Sequence, residues 1–439
     1  MYSLLVFLAA YACVVFERPD IGLCVIVLLA LPVGLFCDDV LPMLLPFLLV
    51  VLMALLNANQ YEALAPIVYA LIPVVVLILV VPVIRARKRI TLGRCFPGLI
   101  AVTVAVLVGG FGSITAAEYF SPASLYHVLG LGPLLIFVYL FAKGVANCPR
   151  DYDAADKIAL SVYLSLIFVA FMILRVFTYP EIWAEGASIK NIVLSNMPWR
   201  NTTAATVVML LPFVFYYARR HHPIHLLSAL FIYVAAALSG SRGAMICGGI
   251  QFLVCLFFFY LRGRVSRRLR IFLVAALGVC AVTAYCFRTE ILQFCREYMR
   301  MSFDLEEILK EARVDLFLRG FEDFLARPLF GRGLGYVGNI DIFHPNEIAV
   351  HLQWYHSLFP QIFGSFGIVG AVAYLYMFIL SVQTIRRAES GIYRTALVLS
   401  YFGILMYSQI DPGIFVPFPL AVLTVLLFVF LEAREKKPV

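Results

Sequence analysis

Charge is what this chain has least of. Only 14% of its 439 residues are Asp, Glu, Lys or Arg, against about 25% in an ordinary soluble domain. Hydrophobic residues make up 63% and the mean hydropathy is +0.95. That balance excludes a soluble globular domain and leaves a polytopic helical membrane protein. No HExxH element is present, so the commonest helix-borne metal signal is missing. No basic residue precedes the first apolar run and no small-residue cleavage site follows it, so the run is expected as a helix and not as a removed signal peptide. The ten cysteines form no framework. Cys13, Cys24, Cys247, Cys255 and Cys280 fall inside apolar runs, where cysteine acts as a small hydrophobe, and Cys295 lies alone in a polar stretch. Neither a disulfide nor a metal cluster is expected.

What is present is a series of long apolar runs. A hydrocarbon core of about 30 Å needs roughly 20 helical residues to cross it, so each run reads as one crossing. The runs are 3–16, 21–36, 40–56, 64–84, 96–111, 125–141, 158–177, 202–217, 226–238, 244–261, 271–287, 357–381, 395–407 and 414–431. The expected fold is therefore all-α, a membrane bundle of 12 to 14 helices. Four regions are expected: N-terminal spans over 1–200, further spans over 201–287, a polar loop over 288–355, and C-terminal spans over 356–439.

Lysine and arginine collect at every second loop: Arg85 to Arg94, Lys143 to Lys157, Arg219 and Arg220, Arg262 to Arg270, Arg386 to Arg394, and Arg434 to Lys437. Cytoplasmic loops carry such an excess. Topology and membrane lipids account for most of the net charge of +8, and nucleic acid is not an expected partner. The alternation puts 113–124, 178–201, 239–242, 288–355 and 409–413 on the outer side. In the long loop, Leu305, Ile308, Leu309, Ala312, Leu316, Phe317, Gly320 and Phe324 recur at helical spacing until Arg327-Pro328 ends the helix.

Chemistry-bearing residues gather on that outer side. Arg242 lies in the tight turn Ser239-Gly240-Ser241-Arg242-Gly243 between two apolar helices; an arginine near hydrocarbon needs a partner, either a carboxylate or a lipid diphosphate. Arg313 falls on the apolar stripe of the loop helix, where it either snorkels or grips an anion, whereas Arg319 falls on the polar side with Asp315 and Glu322. The turn Gly331-Arg332-Gly333-Leu334-Gly335 offers backbone amides to an anion, though no strand-helix unit surrounds it. His344, His351 and His356 are spaced by seven and five residues, which matches no helix-borne zinc pair. His356 stands at the mouth of a helix carrying Gly367 and Gly370, and neutral histidine suits a general base. Arg175, His127 and Asp411 are further polar groups at membrane depth, for which helix–helix hydrogen bonding is the plainer account. Asn201-Thr202-Thr203 reads as a helix opening.

These residues resemble the O-antigen ligase and polymerase superfamily of bacterial envelope glycan assembly. The resemblance rests on Leu238 to Gly243 in a helical hairpin, on Arg313 followed by the amphipathic helix and Arg327-Pro328-Leu329-Phe330-Gly331-Arg332-Gly333-Leu334-Gly335, and on His356-Ser357 with Gly367 and Gly370. It covers about Thr202 to Ser381. Phe317 stands where many relatives carry tryptophan, and the number of spans exceeds the twelve common in ligases. The resemblance implies a metal-independent, cofactor-free glycosyl transfer at the outer face of the cytoplasmic membrane. The donor would be an undecaprenyl-diphosphate-linked oligosaccharide, and the acceptor a glycan or a lipid-linked chain. Arg242 and Arg313 would hold the diphosphate and His356 would take the acceptor proton, with Arg319, Gly333 and His351 as further substrate-binding positions. A ligase passes the glycan to a lipid A core and a polymerase to the next lipid-linked repeat; both stay open, with the extra helices favouring the second. The rival is a transporter or flippase of the same lipid-linked oligosaccharides, which would show matching halves with broken helices. No convincing internal repeat is present.

Overall fold

Each polar backbone group inside a bilayer must find its partner within the chain, and a helix does this segment by segment. The described elements follow that rule: all are helical. The computed structural model describes residues 2–55, 58–110, 128–148, 152–183, 199–262, 312–334 and 354–435, with a few isolated positions between them. The α-helices are α1 (Tyr2–Val15), α2 (Pro19–Phe36), α3 (Leu44–Leu52), α4 (Ala58–Ala86), α5 (Cys95–Gly110), α6 (Pro133–Asn147) and α7 (Ala154–Arg175). Then come α8 (Arg200–Arg220), α9 (His225–Leu238), α10 (Arg242–Leu256), α11 (Ala312–Ala326), α12 (Leu358–Arg387), α13 (Ile392–Tyr407) and α14 (Val422–Glu432). Among the described residues, six helices are long and apolar enough to cross a membrane and seven shorter ones are apolar. The chain is a multi-pass membrane protein.

The core forms around α8, which packs against α7, α9, α10 and α13. Its apolar stretch is 89% buried, the highest of the six long helices, so almost no face of it meets lipid. Its threonines are buried because they return their hydroxyls to their own helix: Thr206 Oγ1 donates to Thr202 O at 2.8 Å and Thr203 Oγ1 to Trp199 O at 3.0 Å.

Charged side chains gather at one end of the bundle and cross-link the helices there. Lys143 Nζ lies 2.6 Å from Glu432 Oε2, and the same carboxylate accepts from Tyr139 OH at 2.6 Å and from Cys95 N at 2.7 Å. Arg434 pairs with Asp153 at 2.6 Å and Tyr216 OH donates to Asp156 at 2.6 Å. Lys143 was expected in a loop after a span ending at 141, yet α6 continues to Asn147 and buries it. The buried Glu432 carboxylate is the reason: a lysine paired this closely can stay out of water, and removing either partner would cost about 3–5 kcal/mol.

α12 and α13 connect this basic end to the opposite one. α12 starts beside His356 and ends where Ala388 bridges Glu435; α13 starts near Tyr393, under Arg434, and ends at Tyr407. The single span expected over 357–381 is in fact two helices. Gly367 breaks α12 with φ 62° and ψ −154°. The turn after α11 fills the break: Ile368 N and Val369 N donate to Pro328 O and Leu329 O, while Arg332 N and Gly333 N donate to Gly364 O and Ser365 O. The orphan carbonyls of one half-helix and the orphan amides of the next are thus satisfied by one passing segment. A Cβ on Gly367 would sit 2.5 Å from Leu329 O, and one on Gly331 (φ 70°) would sit 2.4 Å from the Ser365 carbonyl carbon. Only glycine permits both the conformation and the approach.

Residues 335–353, His127 and most of the expected span 271–287 lie outside the described residues, and with them His344 and His351.

Candidate functional site

Three segments meet at the end opposite the basic loops. The first is the turn between α9 and α10. Ser239 Oγ donates to Ala236 O at 2.6 Å, Gly240 takes φ 75°, and the Ser241 side chain caps α10 by accepting from Ala244 N at 3.3 Å. A serine at that position satisfies one of the first-turn amides and leaves Arg242 as the opening residue of α10, half-buried. Arg200, opening α8, reaches back to Gly240 O at 3.4 Å, so a second guanidinium borders the turn.

The second segment, between α13 and α14, ties the first to the third. Ser241 Oγ and Tyr407 OH lie 3.1 Å apart, and a Cβ on Gly243 would come within 2.7 Å of that hydroxyl. Four residues on, Asp411 is buried and accepts from Asn201 Nδ2 at 2.9 Å. The same oxygen, Oδ2, lies 3.7 Å from Nδ1 of His356 in the third segment. That separation is longer than a hydrogen bond and within reach of an ion pair. The His356 side chain is 29% exposed and Asp411 8%, so the carboxylate sits behind the ring and the ring keeps an open edge.

His356 adopts φ 50°, a left-handed conformation that costs a non-glycine residue about 1–3 kcal/mol and persists only where the surroundings impose it. Its neighbours supply that constraint. Tyr355 is 1% exposed and Ser357 is also buried, at the start of α12. Tyr355 N donates to Gln361 Oε1 at 3.0 Å, and Gln361 Nε2 to Ser365 Oγ at 2.8 Å.

Against this half-helix lies α11, the described part of the expected loop helix. Its Asp323 is buried, accepts from Tyr355 OH at 2.8 Å and has Oδ1 3.5 Å from Arg332 Nε. Burial pushes the Asp323 carboxyl above its usual range, while the Tyr355 hydroxyl and the Arg332 and Arg319 charges pull it down. Arg319 is half-buried on α11. Arg313 belongs to the same helix, and its side chain is outside what the structure describes. The Gly333 amide, read from sequence as an anion donor, instead donates to Ser365 O at 3.1 Å. The helix break at Gly367 exposes carbonyls that take it up.

Asp411 and Asn201 are the members of this group that sequence reading undervalued. Sequence alone places one as a polar group at membrane depth and the other at a helix opening. The signal was there: an aspartate between two apolar spans is costly unless it has a task. Its partner is not legible, because 210 residues separate Asn201 from Asp411. Among the described residues, no three His, Cys, Asp or Glu side chains gather as a metal would need.

No curated protein matches the chain. Residues 226–375 match the family model described as O-antigen ligase, a stretch that includes the turn at Arg242, α11, the interlocked turn and His356. Over that third of its length the chain is similar to the O-antigen ligase family.

Proposed function

We propose that the protein is a membrane glycosyltransferase that moves an oligosaccharide from an undecaprenyl-diphosphate-linked donor to an acceptor hydroxyl at the outer face of the bacterial cytoplasmic membrane. The observation that carries this reading is the pair His356 and Asp411 beside the Arg242 turn, at the end of the bundle away from the basic loops. In this reading the bundle crosses the membrane 12 to 14 times and residues 288–355 form the outer loop.

The acceptor O–H loses its proton to His356 as its oxygen forms a bond to the anomeric carbon, and the bond from that carbon to the diphosphate oxygen breaks. Nδ1 faces Asp411, which leaves Nε2 as the atom that takes the proton. Asp411 orients the ring and stabilises the imidazolium, and Asn201 holds Asp411. Negative charge grows on the departing diphosphate, so fixed cations lower the barrier if they meet it only as it leaves. Arg242 and Arg313 serve there, with Arg319 and His351 contacting the donor. Gly333 contributes by shaping the turn that holds Arg332, since its amide is already engaged. This chemistry needs no metal. The donor and the membrane lipids are the expected partners, together with a glycan or lipid-linked acceptor.

Purified protein incubated with an undecaprenyl-diphosphate-linked repeat unit tests the reading. A ladder of lengthened lipid-linked products is expected from a polymerase, and transfer only onto an added lipid A core from a ligase. Donor left intact with both acceptors would contradict the assignment.

A further inference from the structure

The residue before the proposed base has a role of its own. Tyr355 is a large, fully buried side chain lodged between two glycines on different helices. A Cβ at Gly364 of α12 would meet its ring at 2.8 Å, and one at Gly320 of α11 at 3.1 Å. α11 therefore rides directly on the first half of α12, with Phe324 against Phe363 at 5.1 Å beside the contact. At the end of the ring, the Tyr355 hydroxyl donates to Asp323 of α11 at 2.8 Å. At its backbone, the Tyr355 amide is held by Gln361.

The side chain thus belongs to α11 and the backbone to α12, and the next residue is His356. Arg332, close to Asp323, sits in the turn that fills the break at Gly367, so the same carboxylate also faces the interlock between the loop and α12.

We propose that Tyr355 is a positioning residue: through its hydrogen bond to Asp323 it fixes the left-handed turn at His356 to α11, the helix bearing Arg313 and Arg319, so that the base is aligned by the element that grips the donor. The inference rests on the base role given to His356 above. Tyr355 touches no substrate and acts through its neighbour. A hydroxyl bonded to a buried carboxylate is well suited to the task, because charge-assisted hydrogen bonds are directional and a carboxylate left without its donor is costly. Proper placement of a reacting group matters steeply, with a displacement of about 1 Å worth up to 10²-fold in rate.

Tyr355→Phe keeps the ring in its slot and removes only the hydroxyl. Its kcat should fall about ten- to a hundredfold while the KM for the lipid-linked donor stays as in the wild type. Asp323→Asn, whose side-chain carbonyl still accepts from Tyr355, should retain most of the turnover. In the double variant Tyr355→Phe with Asp323→Leu an apolar pair replaces the bond, so thermal stability should recover while kcat stays low; this variant also carries the test if Tyr355→Phe alone folds poorly. Wild-type kcat in Tyr355→Phe, or a raised donor KM with unchanged kcat, would overturn the proposal. His356→Ala separates the two readings. If it is inactive while Tyr355→Phe is fully active, only the positioning role is lost. If it turns over at the wild-type rate, the base assignment fails and the positioning role with it.

Discussion

Arg242 shows how one residue can be placed by others that do no chemistry. Ser241 caps the helix, Gly243 lets Tyr407 come close, and Arg242 is left at the head of α10, at the end of the bundle away from the basic loops. If it meets the departing diphosphate, Arg242→Ala should lower turnover about 10²- to 10³-fold, the usual loss for one donor to a developing anion. Lysine should restore little, because it cannot present the planar two-point contact that phosphate oxygens accept from a guanidinium. Rates compared at matched protein levels check this; near wild-type turnover in the alanine variant would return Arg242 to a structural role. Sequence disclosed the arginine because a cation is rare and costly at such depth. It did not disclose Asp411 as the partner of His356. That pairing depends on how α8, α12 and α13 pack, and no local pattern encodes it.

At the scale of elements, the break in α12 is the feature with the widest consequences. The apolar run across 357–381 is continuous, so hydropathy alone reads one span, and the glycines within it read as close-packing residues. The half-helices become visible only with the turn from Arg327 to Leu334 laid across the gap, where each orphan backbone group has its partner. The same contact explains why two glycines recur in that turn, a pattern that spacing alone left open as a phosphate cradle. Gly367→Ala should be severely damaging, since it demands a left-handed alanine and a Cβ 2.5 Å from Leu329 O. Either the protein becomes unstable in detergent or turnover collapses through displacement of His356; thermal unfolding and activity read the two. An active, stable Gly367→Ala protein would show that the interlock is dispensable. The helices themselves were largely legible, because a bilayer allows few alternatives to a long apolar helix. A helix runs past its expected end where a buried pair allows it, as at Lys143 and Glu432.

For the whole molecule, function follows from polarity along the bundle. One end is knitted by three pairs, Lys143 with Glu432, Arg434 with Asp153 and Tyr216 with Asp156, set beside the basic loops. The other end carries groups that meet across α8, α10, α11, α12 and α13 with a histidine left partly open. That asymmetry supports the proposed reading of an enzyme acting on one membrane face over a path through the middle. In the proposed reaction His356 takes the acceptor proton. The most direct test is transfer from a lipid-linked donor by the wild type and by His356→Ala, with donor binding measured on both. His356→Ala should bind the donor at close to wild-type affinity and transfer nothing measurable; transfer at the wild-type rate would remove His356 from the reaction.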